Sequence, residues 1–249
     1  STPLKLAVIF FMVISSANFG IYVAAWKRGI RVLWENTEFK VYLSIVAAAT
    51  ILISLNLMLE SGLYAPSALL EALFTSASLS STTGFISYDF ETWPHFSQVI
   101  LMFIGGCGGS TSGGLKVTRI ILLFKSMTAV LRQKLHPRAV IQTRAGGENF
   151  SESMLLEVFC FFFIYTMSIF LWTALIAANG ADIPSALGLS IATMSNSGPA
   201  LGQFGATCNW SAMPAMTKMV VALSMLMGRL ESFTLLILFL PSFWRKNGW

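Results

Sequence analysis

Two short stretches carry oxygen in a form that suits a bare cation. Residues 82–85 read Thr-Thr-Gly-Phe, and residues 195–199 read Ser-Asn-Ser-Gly-Pro. Thr82, Thr83, Asn196 and Ser197 offer hard, uncharged side-chain oxygens. Gly84 and Gly198 admit backbone conformations that a Cβ resists, so that carbonyls can line up. Rows of such carbonyls can stand in for the water around a monovalent ion. Neither stretch holds a carboxylate, which a divalent site ordinarily includes. The candidate filter is therefore Thr82, Thr83, Gly84, Phe85, Ser195, Asn196, Ser197, Gly198 and Pro199. Ordinary re-entrant turns packed for structural reasons are the alternative.

A second set of residues suits a moving part. Gly105, Gly106, Gly108, Gly109, Gly113 and Gly114 fall within one ten-residue run, "GGCGGSTSGG". Each glycine costs a helix about 1 kcal/mol relative to Ala, so the apolar segment 97–124 should break there. Non-helical backbone at membrane depth survives only inside protein or along a water-filled cavity. A flexible intramembrane loop below the filter, acting as a gate, is the expectation; close helix packing through small residues is the alternative. Phosphate binding is rejected, because Leu115 separates Gly114 from Lys116 and no strand precedes the run. Arg229 lies in an otherwise apolar segment, where a charge faces a partner or water. It is expected to line the cavity, meet the loop carbonyls and add an electrostatic barrier. Glu231 stands two residues away, which is the wrong spacing to face it on a helix, and so takes another partner. A packed structural role for both is the competing reading.

These residues need a membrane around them. The 249-residue chain is 55% hydrophobic and 11% charged, with a mean hydropathy of +0.71, whereas soluble domains carry roughly 25% charge. The net charge of +5 is no nucleic-acid signal, since the basic residues sit in short clusters between apolar segments. Cys107, Cys160 and Cys208 are too few and too widely spaced for a disulfide framework or a zinc site. Residues 4–26, 41–59, 154–178 and 213–243 are long enough to span, as are 97–124 apart from the break. Residues 67–80 and 185–194 are too short, and each follows a proline, Pro66 or Pro184, suited to a first helical turn.

Basic residues set the orientation. No Lys or Arg occurs between Lys40 and Lys116 or between Arg144 and Lys218. The clusters at 27–40, at 125–144 and at Arg245–Lys246 are then cytoplasmic, and 60–96 and 179–212 external. The two short helices must dip in and return, each with its partly negative C-terminal end inside the membrane. Glu60, Asp89, Glu91 and Asp182 make the external face acidic. This yields a repeat of helix, half-helix, glycine turn, polar segment and helix, with Gly84 and Gly198 in matching places. The expected organisation is a last helix of a preceding unit (1–26), a cytoplasmic linker (27–40) and a pore unit (41–124). A basic cytoplasmic loop (125–153) and a second pore unit (154–249) follow. The fold class is an all-α membrane protein of tandem helix–re-entrant pore helix–filter loop–helix repeats. Beginning inside a spanning segment, the chain reads as a piece of something longer.

The plan resembles the membrane–pore–membrane unit of potassium channels. The residues resemble the Trk/Ktr/HKT superfamily of potassium transporters, and within it the TrkH family. "SSTTGF" is similar to that family's third filter loop and "SNSGPALG" to its fourth. "GGCGGSTSGGLKVTRI" is similar to the broken second helix of its third unit, and "GRLESFTLLILFLPSFW" to the last helix of its fourth. The resemblance implies the C-terminal half of a four-unit potassium uptake protein of the bacterial inner membrane. It implies potassium as the transported ion, at Thr82, Thr83, Asn196 and Ser197, and no covalent cofactor. It also implies an intramembrane loop that blocks permeation, a gating role for Arg229, a homodimer, and a cytoplasmic nucleotide-binding regulatory ring. That ring would dock on the basic loop, whose other reading is contact with lipid headgroups.

Three functions compete at this point: cation conduction, secondary transport of a small solute by broken helices around a midplane site, and membrane assembly without transport. Titratable groups at the broken segments would favour the second, and the filter turns have none. No nucleophile–base pair or metal cluster marks an enzyme. Ser197 and Pro199 depart from a strict potassium-channel filter, which predicts weaker discrimination against sodium; passive conduction and symport stay open. Glu71, early in the first half-helix, reads as favouring the helix N-terminus.

Overall fold

The computed structural model describes residues 1–88, 95–136, 144–145, 148–205, 208 and 210–244. Asp89, Glu91, Arg245 and Lys246 lie outside the described residues. Among the described residues two helices are long and apolar enough to cross a bilayer, α4 (Thr37–Glu60) and α8 (Glu152–Ala178). At ~1.5 Å per residue both exceed the ~30 Å hydrocarbon core. Each starts at a side-chain cap: Asn36 accepts from the Phe39 N–H at 2.9 Å and Ser151 from the Met154 N–H at 3.3 Å. The half-helices are α5 (Ala65–Ser80) and α9 (Ile183–Ser195), each with proline in its first turn. They are too short to cross and need protein around them. α5 lies against α4 and α9 lies between α8 and α10 (Ala215–Arg229). Every residue of α9 from Leu189 onward is buried. Among the described residues the protein is an all-α membrane fold, save for two two-residue strands at Arg144–Ala145 and Glu148–Asn149.

Three segments expected as apolar spans are interrupted. Residues 97–124 divide as expected, into α6 (His95–Phe103), a loop, and α7 (Val117–Leu135). The other two interruptions correct the sequence reading. Residues 4–26 form α1 (Thr2–Ser15) and α2 (Phe19–Arg28), which meet at 91°. The Ser15 and Ser16 hydroxyls turn back to the Met12 carbonyl at 2.9 and 2.8 Å. Asn18 then caps a new helix by accepting from the Gly20 N–H at 2.8 Å. Serine and asparagine offer the backbone such alternatives to a continuing helix. A short helix, α3 (Arg31–Glu35), leads on to α4. Residues 213–243 form α10, then α11 (Ser232–Leu238) and α12 (Pro241–Trp244). The break falls at Glu231, whose φ of 57° puts a non-glycine residue where a Cβ is strained by about 1–3 kcal/mol. Arg229 therefore ends a helix rather than standing mid-span.

The hydrophobic core runs between the two pore units. Leu79 of α5, Leu101 and Met102 of α6, Tyr165 and Ile169 of α8, and Ile191 and Met194 of α9 share one buried cluster with Leu115. Packing therefore ties both half-helices and one end of the glycine run into a single body.

Candidate functional site

The two half-helices end in the same way. Thr82 and Asn196 both take the left-handed conformation, with φ of 54° and 55°. The Thr82 N–H donates to the Leu79 carbonyl at 3.1 Å and the Thr83 N–H to the Ser78 carbonyl at 3.0 Å. In the second unit the Asn196 N–H donates to the Thr193 carbonyl at 3.2 Å and the Ser197 N–H to the Ala192 carbonyl at 3.0 Å. This pair of bonds is the Schellman termination, which closes carbonyls that a helix end leaves open. Two residues beyond each left-handed residue stands a glycine with positive φ, Gly84 at 75° and Gly198 at 93°. The same local chemistry thus reverses the chain at both places. Upstream, Asp182 starts α9 by accepting from the Ser185 N–H at 3.1 Å.

Those hydrogen bonds from Ser185 hold the Asp182 carboxyl below its ordinary pKa. Its contribution is complete above the ordinary carboxylate value and is lost as pH falls through the lowered one. Asp182→Asn, which caps as well without titrating, should remove this part of the acid dependence of thermal stability.

The two turns meet. A Cβ built on Gly84 would lie 2.2 Å from the Ser197 carbonyl oxygen and 3.0 Å from Cδ of Pro199. A Cβ on Gly198 would have nothing within 4 Å in this chain. Side chains brace the loops from behind. The Ser78 hydroxyl donates to the Phe85 carbonyl at 2.7 Å, and the hydroxyls of Ser81 and Thr83 lie 2.7 Å apart. Ser197 is buried, and its hydroxyl accepts from that of Ser195 at 3.0 Å. Of the side chains expected to add ion ligands, Thr82 uses Oγ1 to accept from the Gly113 N–H at 2.8 Å. Asn196 donates through Nδ2 to the Met225 carbonyl at 3.3 Å, a bond that leaves its Oδ1 oxygen out of use.

The glycine run lies directly beneath. A Cβ on Gly113 would sit 2.1 Å from the Ser195 carbonyl oxygen, and one on Gly228 2.1 Å from that of Met194. Only glycine lets these backbones come so close to the end of α9. The neck of the loop is closed: Ile104 and Leu115 form a parallel bridge, and the Gly105 N–H donates to the Leu115 carbonyl at 3.0 Å. The expected flexible loop is in fact tethered on all sides. The carbonyls left open by the α1–α2 break accept from it, Ser16 from the Cys107 N–H at 2.8 Å and Ser15 from the Thr111 N–H at 3.4 Å. The Phe19 N–H donates to the Gly109 carbonyl at 3.2 Å. Buried backbone groups require such partners, and here one break supplies them to another.

Charged side chains complete the tethering. Glu38, at the start of α4, accepts from the Gly108 N–H at 2.5 Å and from the Thr118 hydroxyl. Arg229 donates to the Thr111 carbonyl at 3.3 Å. The separate partner of Glu231 is Arg119, at 2.8 Å, whose guanidinium lies 3.7 Å from the centre of the Phe161 ring. Lys116 reaches the Ser112 carbonyl. A cavity of about 330 Å³ opens among Gly109–Gly114, Lys116, Arg119, Arg229 and Glu231. Three basic side chains and one acid give it a net positive lining. The sequence reading missed Glu38, Arg119 and the Ser15–Asn18 break. Glu38 stands in the first turn of α4, and only its long-range partners reveal its role.

Comparison with known proteins agrees with this architecture. The family model of the cation transport protein TrkH matches residues 2–246. The potassium uptake protein TrkH of Salmonella typhimurium is 36% identical over 99% of this chain, and that of Halomonas elongata 35% over 99%. The crystal structure of the potassium transporter TrkH from Vibrio parahaemolyticus superimposes with a TM-score of 0.90 at 34% identity, covering 98% of this chain and 53% of that one. The chain spans about half the length of the curated relatives it matches. With the family model covering nearly every residue and the fold matching throughout, the chain belongs to the TrkH family of cation transport proteins.

Proposed function

We propose that the chain supplies two adjoining pore units of a potassium-uptake protein in a bacterial inner membrane. The reading is carried by the paired Schellman turns, which bring Gly84 against the Ser197 carbonyl at the inner ends of two half-helices. Both helix dipoles present partial negative charge there, and neither turn carries a titratable group. Thr82–Phe85 and Ser195–Pro199 form two sides of the filter, with further units completing it. Because Oγ1 of Thr82 serves the loop, main-chain oxygens carry most of the coordination, with the Thr83 hydroxyl and Oδ1 of Asn196 as the remaining side-chain oxygens. Gly105, Gly106, Gly108, Gly109, Gly113 and Gly114 form a gate held against the filter, with Arg229 as one latch. The positively lined cavity below adds a barrier to cations while the loop stays in place. A second copy of the membrane subunit and a cytoplasmic nucleotide-binding ring on the basic loop complete the assembly.

The test is ion flux from the intact assembly in liposomes, with potassium, rubidium and sodium compared. Potassium and rubidium are expected to pass faster than sodium, by a smaller margin than in dedicated potassium channels. Solute uptake coupled to a gradient, with no cation current, would sink the reading.

A further inference from the structure

The loop after the first filter turn is held by a side chain that the filter reading does not use. Glu71 of α5 faces neither solvent nor the helix N-terminus; its side chain is 14% exposed. One carboxylate oxygen accepts from Nζ of Lys5, on α1, and the other accepts from the Ser87 hydroxyl at 2.5 Å. Ser87 lies two residues beyond Phe85, on the limb that leaves the filter. Lys5 is itself mostly buried, with 26% of its side chain exposed. The network thus joins three elements: the preceding helix, the half-helix and the outgoing limb of the filter.

The second unit repeats the geometry without the charge. Glu71 stands thirteen residues before Gly84, and Ser185 stands thirteen before Gly198. The Ser185 hydroxyl accepts from the Gln203 N–H at 3.0 Å. In both units, then, the residue at this place on the half-helix grips the chain as it leaves the filter. In the first unit the grip is a carboxylate, and a buried carboxylate holds its hydrogen bonds more strongly than a hydroxyl does. It is stable there only because Lys5 offsets its charge.

We propose that Glu71 is a specificity-determining positioning residue: through Ser87 it fixes the spacing of the Thr82–Phe85 carbonyls, and Lys5 pairs with it from α1. Discrimination among monovalent cations depends on the size and field of the carbonyl cage, so releasing one wall of it changes which ion fits. The inference rests on the conduction reading above. It divides the network into two jobs. The Glu71–Ser87 bond sets selectivity, and the Lys5–Glu71 pair sets stability.

The experiment uses the intact assembly in liposomes, with potassium and sodium flux measured side by side and thermal stability followed separately. Ser87→Ala leaves the ion pair in place. It is expected to lower the potassium-to-sodium flux ratio about tenfold, the scale of one hydrogen bond to a charged group, with little change in Tm. Ser87→Thr restores the hydroxyl and the ratio. Glu71→Gln keeps an acceptor for Ser87 but strands Lys5; Tm falls while the ratio holds, and adding Lys5→Met recovers Tm. Ser87→Ala with an unchanged ratio overturns the proposal and leaves conduction standing. A parent assembly that passes no cation overturns the conduction reading instead. Should Ser87→Ala fail to assemble, Lys5→Met with Glu71→Leu removes the grip and the charge together, and the same ratio decides.

Discussion

Gly84→Ala is expected to lower potassium flux about a hundredfold in the intact assembly, equivalent to about 2.7 kcal/mol. Two costs combine. The φ of 75° is one that L residues adopt at about 1–2 kcal/mol. The added methyl would also lie 2.2 Å from the Ser197 carbonyl oxygen, a backbone atom that cannot rotate aside. One filter turn must push the other away, so the injury reaches both. Gly198→Ala is the control, since its φ of 93° carries the conformational cost while nothing in this chain stands within 4 Å of the methyl. Its flux is expected to fall about tenfold. Parallel measurements of flux and assembly for the two variants check the ordering. Equal, wild-type flux in both would remove the filter from these turns.

Glu38→Ala is expected to raise basal flux about tenfold. The Glu38 carboxylate holds both the Gly108 N–H and the Thr118 hydroxyl. It clamps the descending part of the loop to the start of α7, and both to the start of α4. A hydrogen bond to a charged group contributes about 1.5–3 kcal/mol, and each 1.4 kcal/mol shifts an equilibrium tenfold. Losing the clamp moves the loop toward the position in which Gly113 no longer rests on the Ser195 carbonyl. Arg229→Ala removes one bond, to the Thr111 carbonyl, and should act in the same direction with smaller effect. Both hold one loop, so the double variant should depart from additivity. Single-channel recording or rubidium uptake gives the readout. A lower flux in Glu38→Ala, with normal assembly, would mean that the loop is support rather than gate.

Much of the architecture was legible because membranes leave few options. Backbone in hydrocarbon must be helical or enclosed, so segment length and charge asymmetry alone separate α4 and α8 from α5 and α9. Pro66 and Pro184 mark where the half-helices begin, and Gly84 and Gly198 lie just past their ends. The break at 105–114 was legible because glycine is a poor helix former wherever it sits. The breaks at Ser16–Asn18 and Glu231 were not. Both runs are apolar enough to span, and a serine inside a membrane helix can bond back to a carbonyl of the preceding turn without ending the helix. Glu231, with its φ of 57°, pairs with Arg119, which lies far away in the chain.

Glu71 makes the same point within the candidate site. From sequence it was an acid early in a short helix, read as favouring the helix N-terminus. Its two partners, Lys5 and Ser87, stand 66 and 16 residues away, and no local pattern joins them. Composition, spacing and turn chemistry by themselves determined that this is a membrane chain with two re-entrant glycine turns and a broken helix between them. Only the tertiary structure decided that the turns touch, that the broken helix is fastened beneath them, and which charges do the fastening. The physical reason is range: propensity and hydropathy act over a few residues, while hydrogen bonds and ion pairs in a packed membrane interior are chosen by whichever groups the fold brings together.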